Sequence, residues 1–395
     1  MVAMDYTTRR LQAEDLGAMT TLSAEAFGAP PAGETPPPPE WPRPGRSAWG
    51  TFDGDQLVAQ VVSREFHSWW RGREVATNGI ASVSVRAEHR GAGLLARLFT
   101  EVLAEGREQR GEVISTLFPT APGIYRGFGY ELVGSLDTVE VPTAALAAVR
   151  PSEGLTVRRA GLSDVAAIRA AYDAWAAAQD GPLTRRGPSF PAGDQEVLDA
   201  VTGITVAVDE HGRVVGYCAW QRGTGYDQAT TAIEVEDLVA VDPRAWPTLW
   251  RVLGTFSSVA GRVRLQTSGA DVARTYLPTL AWKVVDTHPY MLRIDDVAGA
   301  VSAVARPGAP CAFSVAGDRL EVLDGHYEVD ASGQCGRTAR GDGPTYHPRG
   351  LALAWSGAQA SAALRLAGLL TGPTTYDEAL DVTFAGRPLH IRDYF

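Results

Sequence analysis

Two short runs hold residues suited to chemistry. The first is Val83-Ser84-Val85-Arg86-Ala87-Glu88-His89-Arg90-Gly91-Ala92-Gly93-Leu94-Leu95, where a β-branched apolar stretch meets a basic, glycine-rich turn. Leu94, Leu95, Leu98, Phe99, Val102 and Leu103 then recur at helical spacing, with Arg97, Glu101 and Glu105 on the other side, so a strand should feed an amphipathic helix. A helix N-terminus carries free N–H groups and a positive partial charge, and small residues there let a phosphate oxygen approach the backbone. The spacing predicts a pyrophosphate cradle, with Arg90–Gly93 as the helix's first turn. No Gly-Lys-Ser/Thr follows and no GxGxxG follows a strand elsewhere, which disfavours nucleotide hydrolysis and hydride transfer. The second run, Gly123-Ile124-Tyr125-Arg126-Gly127-Phe128-Gly129-Tyr130-Glu131, sets the phenol of Tyr125 among glycines after a strand-like Val113–Phe118. Taken alone, these residues leave Tyr125 open between a proton donor and a packed core tyrosine.

The elements that must position these runs form a repeated plan. Up to about residue 150, Tyr6–Leu11 reads as a strand and Glu14-Asp15 opens a helix through Leu16, Met19, Leu22 and Phe27. A loop from Gly28 to Gly45 holds Pro36–Pro39, which no helix or central strand accommodates; it is a solvated connector or a substrate-side lid flanked by Trp41 and Trp49. Strands are expected at Ser47–Phe52, Gln56–Glu65 and Gly79–Val85, with Asp53-Gly54 as a hairpin turn.

A restart follows Pro151–Gly154. Leu155–Ala160, Ser163-Asp164 and the run Val165, Ile168, Ala171, Tyr172, Trp175 echo the opening strand–helix unit, and Thr205–Trp220 reads as a hairpin. Val235–Val241 repeats the strand that led into the cradle, but it meets Asp242-Pro243-Arg244-Ala245-Trp246-Pro247 instead of a glycine pair. The second copy should therefore lack both a phosphate site and a working tyrosine. From Met291 the texture changes again: a strand at Met291–Ile294, a helix to Val304, short strands at Cys311–Val315, Arg319–Leu323 and His326–Val329, and a helix at Ala358–Ala367. The fold class expected is α+β with mixed sheets, in segments 1–150, 151–290 and 291–395.

Composition narrows the function. The 395 residues are 45% hydrophobic and 21% charged, with a formal net charge of −10. That balance fits a soluble globular chain and a cationic partner better than nucleic acid. No apolar run reaches membrane-spanning length and no basic-then-apolar leader opens the chain, so a cytoplasmic protein without a membrane partner is expected. Cys218, Cys311 and Cys335 have no CxxC partner and the histidines lack ligand spacing, so no metal site is expected.

Arg90-Gly91-Ala92-Gly93-Leu94-Leu95 resembles the R/Q-x-x-G-x-G/A acetyl-CoA motif of the GNAT N-acetyltransferases, with Leu at the sixth position, and Tyr125-Arg126-Gly127-Phe128-Gly129-Tyr130 resembles the Tyr-x-x-x-Gly-Phe/Tyr element after the fifth GNAT strand. The chain ends Leu389-His390-Ile391-Arg392-Asp393-Tyr394-Phe395, on aromatic rings where termini are usually polar and frayed. Two GNAT-like segments, a last segment like a sterol carrier protein and this aromatic end together resemble the enhanced intracellular survival (Eis) family. That resemblance implies acetyl-CoA as co-substrate, Tyr125 as general acid, the Phe395 carboxylate as general base, and coenzyme contacts at Val83, Val85, His89, Arg90, Gly91, Ala92, Gly93, Leu94 and Leu95. It also implies a homohexamer and a cationic amine acceptor, aminoglycoside-like or another polyamine. A protein lysine acetyltransferase, or a lipid-binding protein with a vestigial GNAT core, stands as the alternative. His67 is a rival base, and Glu25, Glu131 and Asp137 are candidates for an acidic pocket.

Overall fold

The computed structural model describes residues 6–28, 40–190, 193–269 and 271–395. The Pro36–Pro39 run lies outside them. The first copy runs β1 (Tyr6–Arg10), α1 (Leu16–Phe27), β2 (Arg46–Asp53), β3 (Gln56–Trp70), β4 (Arg73–Val85), α2 (Leu94–Arg110), β5 (Ile114–Leu117), α3 (Pro122–Arg126), β6 (Glu131–Pro142) and α4 (Thr143–Ala147). The second runs β7 (Thr156–Arg159), α5 (Val165–Ala176), α6 (Asp194–Asp199), β8 (Gly203–Val208), β9 (Val214–Gln221), β10 (Ala232–Ala240), α7 (Ala245–Gly254), β11 (Arg262–Thr267) and β12 (Lys283–Ile294). The rest is α8 (Val297–Val304), β13 (Cys311–Val315), β14 (Gly325–Val329), β15 (Cys335–Thr338), β16 (Thr345–Tyr346), α9 (Pro348–Trp355), α10 (Ser361–Leu366), β17 (Leu370–Thr371) and α11 (Asp377–Phe384).

The duplication is exact down to one ion pair. Arg9 donates to both oxygens of Asp15 at 2.7 and 2.8 Å, while the Gln12 N–H caps the same carboxylate at 2.8 Å. Arg158 does the same to Asp164 at 2.6 and 2.7 Å, with the Gly161 N–H at 2.9 Å. Each pair fixes the entry into its copy's first helix, where a carboxylate also meets the positive helix end.

The two copies share one sheet. Twelve strands run in the order β1-β2-β3-β4-β5-β12-β6-β11-β10-β9-β8-β7. β12, from the second copy, lies between β5 and β6 of the first, and β6 pairs in turn with β11. Each copy thus lends a strand to the other. Val139 and Val141 of β6 are buried in the second copy's core, and Met291 of β12 in the first's. This corrects the expected start of the last segment: Met291–Ile294 ends the large sheet, because alternate side chains of β12 serve two cores. Met291 faces the first copy, and Tyr290, Leu292 and Ile294 face the last segment.

Other differences are local. β3 and β4 extend as a long hairpin through Trp70 and Arg73, closed at Arg71-Gly72 with φ of 51° and 77°. Two residues of positive φ suit a tight hairpin, and Arg71 hides the signal that glycine or asparagine would give. Arg319–Leu323 is a loop rather than a strand, because the buried Asp318 carboxylate gathers the N–H groups of Leu320, Val322 and Leu323. The last segment holds a five-stranded sheet, β15-β14-β13-β16-β17, with α8–α11. Its final helices include Pro348–Trp355 and Asp377–Phe384, while the expected Ala358–Ala367 helix is confined to Ser361–Leu366.

Candidate active site

β4 and β5 pair in parallel only over Thr77–Gly79 against Ile114–Thr116. Beyond that point they part. In β4, Ser82 and Val83 together face Val61 of β3, a bulge with Ser82 at φ 50°. Such a bulge bends its strand away from a neighbour. The wedge opens a cleft of about 630 Å³ between the end of β4, the start of α2 and α3.

The turn after β4 is built to leave space. Ala87–His89 forms a 3₁₀ turn, Gly91 and Gly93 sit at φ 83° and 74°, and α2 starts at Leu94 with Gly93 as its N-cap. The glycines thus precede the helix, where sequence spacing placed them in its first turn. Only glycine adopts this left-handed conformation without strain, and no atom lies within 4 Å of where a Cβ would stand on either. Leu94, Leu98, Phe99, Val102 and Leu103, each at most 3% exposed, anchor the helix beneath, at roughly 1.5–3 kcal/mol per buried side chain.

Val83, Val85, His89, Arg90, Gly91, Gly93, Leu94 and Leu95 all line this cleft, and so does Tyr125. Ala92 does not; its N–H turns back to the His89 carbonyl at 3.4 Å. His89 is part of the wall, its Nδ1 3.0 Å from the Tyr6 hydroxyl. Tyr125 stands on α3 and packs edge-on to Phe99 and Tyr130. Burial pushes its phenol up to about 12, since a phenolate is poorly solvated there. Its hydroxyl has no hydrogen-bond partner among the described residues. The phenol therefore keeps its proton at neutral pH, at the wall of the cleft.

Phe395 does not line this cleft; it is seated at the paired end of the wedge, where Gly79 still faces Thr116. Its ring lies 5.0 Å from Phe66 of β3, 5.4 Å from Phe118 just after β5, and against Gly79 of β4, whose Cβ would approach to 3.0 Å. Gly79 and Val83 are four residues apart on β4, about 13 Å at strand rise. Arg64, on the same face of β3, stands 5.9 Å from the Phe395 ring, and burial lowers its guanidinium to about 10. His67 falls on the opposite face from Phe66, because strand side chains alternate. Glu131 is held by Arg126 and by Arg349 at 2.9 and 2.5 Å, and Glu25 lies 3.7 Å from Arg86. Asp137 sits between strand partners Thr267 and Thr287. None of these acids lines the cleft.

Sequence reading missed Arg319, which comes from the last segment and lines the cleft. Its guanidinium lies 5.1 Å over the Phe128 ring, and its loop is tied down by Asp318, which accepts from Arg293 of β12 at 3.0 Å on both oxygens. No motif marks such a residue, since it reaches the cleft from a distant sheet.

Comparison with known proteins places this geometry. The description "Acetyltransferase (GNAT) domain" matches residues 7–133 and again residues 181–294. An uncharacterized N-acetyltransferase of Streptomyces avermitilis is 27% identical over 350 residues, 81% of this chain and 80% of its own. A second from that organism is 28% identical over 218 residues, about half of each chain. Among solved structures, a GCN5-related N-acetyltransferase from Kribbella flavida superposes with a TM-score of 0.79 at 26% identity, over 99% of this chain and 98% of that one. Eis1 from Mycobacterium abscessus does so with a TM-score of 0.76 at 21% identity, over 99% and 100%. The cleft and the duplicated fold define an acetyltransferase with tandem GNAT domains. The chain carries two GNAT acetyltransferase domains, and it shares the fold of Eis1 over its whole length.

Proposed function

We propose that the first copy binds acetyl-CoA in the β4–β5 wedge and transfers its acetyl group directly to a cationic amine. The observation that carries this reading is the placing of the open glycine turn, the Tyr125 hydroxyl and the Phe395 ring along one splayed strand pair. The residues fit the coenzyme. The turn at Arg90–Gly93 offers space and helix N–H groups to the pyrophosphate, the unpaired edge of β4 past Gly79 offers backbone groups to an extended amide chain, and the exposed Arg319 supplies a cation for a phosphate. Acetyl-CoA supplies the acetyl thioester.

The protein's part is proton transfer and positioning. An ammonium must lose a proton before its nitrogen can attack, and the Phe395 α-carboxylate is the base in this reading. A carboxyl near 3.5 in water is a weak base, so this reading requires the carboxylate to be desolvated when acetyl-CoA and the amine fill the site; the Phe395 ring that carries it is already seated against Phe66, Phe118 and Tyr290. Tyr125 then donates its proton to the departing sulfur, which leaves as a thiol while the new C–N bond replaces the C–S bond. A positioned acid of this kind contributes about 10²–10⁴-fold. The acceptor class, aminoglycoside-like or another polyamine, is supported by the net charge of −10 and by aromatic rings near the tail able to face a cation. In this reading residues 1–150 are catalytic, 151–294 lack a coenzyme site, and 295–395 form a sterol-carrier-like unit whose tail reaches the active site.

The test is release of free thiol from acetyl-CoA with a panel of aminoglycosides and polyamines. Deleting Phe395 alone should reduce turnover at least 100-fold while calorimetry shows coenzyme binding unchanged. Full activity without Phe395 would remove the carboxylate from the mechanism.

A further inference from the structure

The second copy has no open glycine turn, yet it meets the chain's last residues through a buried ionic socket. Leu389 lies alongside Asp180, whose carbonyl accepts the His390 N–H at 2.8 Å. His390 is edge-on to Trp175 of α5 and its Nε2 is 3.3 Å from Asp271. Arg392, only 2% exposed, stacks 4.8 Å over the same Trp175, with Asp237 and Asp271 each 3.8 Å away. Asp393 accepts from Arg185 Nε at 2.8 Å, and Arg185 grips both oxygens of Asp237 at 2.5 and 3.1 Å.

Asp237 follows Glu236 at the bulge of β10, the second copy's counterpart of the Ser82–Val83 bulge that opens the first copy's cleft. There the bulge aims a carboxylate inward, and Tyr217 and Arg185 fix it. Arg185 itself is held with φ 53°, a conformation a non-glycine residue keeps only when its surroundings over-determine it. Two residues past this clamp, the Phe395 ring enters the first copy's wedge.

We infer that the second copy serves as a latch for the C-terminal tail, with Arg185 as a positioning residue that delivers the Phe395 carboxylate to the first copy's active site through Asp393. The inference rests on the proposed role of that carboxylate. Asp237 orients Arg185, and Arg185 orients Asp393 without touching substrate. This accounts for an Asp–Arg–Asp chain that joins the second copy to the tail, with Asp237 buried and Arg185 and Asp393 half-buried, where unpaired charges would be costly.

The experiment uses the full-length protein. Arg185→Ala and Asp393→Asn should each lower kcat by about 10–100-fold, with KM for acetyl-CoA and coenzyme affinity unchanged, and Arg185→Lys should recover part of the loss. Because Arg185→Ala also leaves Asp237 unpaired, Asp393→Asn is the decisive variant: it removes the charge by which Arg185 holds the tail and leaves the Arg185–Asp237 pair intact. A second readout is release of the terminal phenylalanine by carboxypeptidase A, which should quicken at least tenfold in both variants under native conditions. If Phe395 deletion abolishes turnover while Asp393→Asn leaves both kcat and phenylalanine release at wild-type values, the latch is wrong. If Phe395 deletion leaves turnover intact, the reading of the base fails, whatever the latch variants do.

Discussion

The turn after β4 and the turn after β10 hold the same place in two copies of one scaffold, and their interiors are opposite. After β4, Gly91 and Gly93 leave open space and the helix N-terminus faces a cleft. After β10, Asp242 closes the turn on itself: it accepts from the Arg244 N–H at 2.8 Å and from its guanidinium at 2.8 Å. Arg244 also reaches Glu210 at 3.6 Å. Trp246, in the first turn of α7, stacks with Tyr276, which follows β11 much as Tyr125 follows β5. The second copy thus keeps a tyrosine at this place, but packs it against an indole. An anion site needs unsatisfied donors and empty volume together; the second copy has filled both with its own side chains.

The largest effect on coenzyme binding should come from filling the first turn as the second is filled. Gly93→Val adds a branched side chain at φ 74°, a conformation such residues resist, and points bulk into the cradle. Acetyl-CoA affinity by calorimetry should fall more than about 100-fold, or about 2.7 kcal/mol. Asp242→Ala, the matching change in the second copy, should leave affinity within about twofold. Equal losses from the two would show that the second turn also binds coenzyme, and the contrast between the copies would collapse.

The two tyrosines divide in the same way. Tyr125→Phe should lower kcat by about 10²–10⁴-fold with little change in KM, and Tyr276→Phe should change neither. The pH profile gives an independent reading. Burial holds the Tyr125 proton up to about 12, so the acid form persists below that pH and is lost only as pH rises through it. No fall in kcat from this group should appear near pH 10, where a free phenol ionises. A fall centred there that vanishes in Tyr125→Phe would mean the phenol is solvated, and the buried acid would have to be abandoned.

Local signals were legible in sequence, and long-range ones were not. The cradle, α2 and the Tyr125 element were readable because glycine, helical spacing and one phenol act within a few residues of one another. The repeat was readable because Tyr6–Leu11 before Glu14-Asp15 and Leu155–Ala160 before Ser163-Asp164 set the same strand ahead of the same helix start. The strand exchange was hidden, since β12 carries an ordinary alternation and nothing in it says that its two faces serve different cores. The socket around Asp237 and Arg392 was hidden for a like reason: buried charges read as surface ones until their partners, far apart in sequence, are seen together.

Arg319 extends the comparison to a third region, because the first copy borrows a cation from the last segment while the second copy's turn arginine, Arg244, is tied to Asp242 and Glu210. An exposed cation meeting a phosphate is worth less than a buried one, since water and salt screen it. Arg319→Ala should therefore weaken acetyl-CoA binding by about tenfold at most, roughly 1.4 kcal/mol, and wild type should lose more affinity than the variant as salt is raised. Repeating the titration with the analogue that lacks the 3′-phosphate locates the contact. A loss that disappears with that analogue assigns Arg319 to the 3′-phosphate, and one that persists assigns it to the pyrophosphate beside Gly91 and Gly93. Unchanged affinity for both would leave Arg319 as packing on Phe128, and the first copy's phosphate site would then be complete within its own turn.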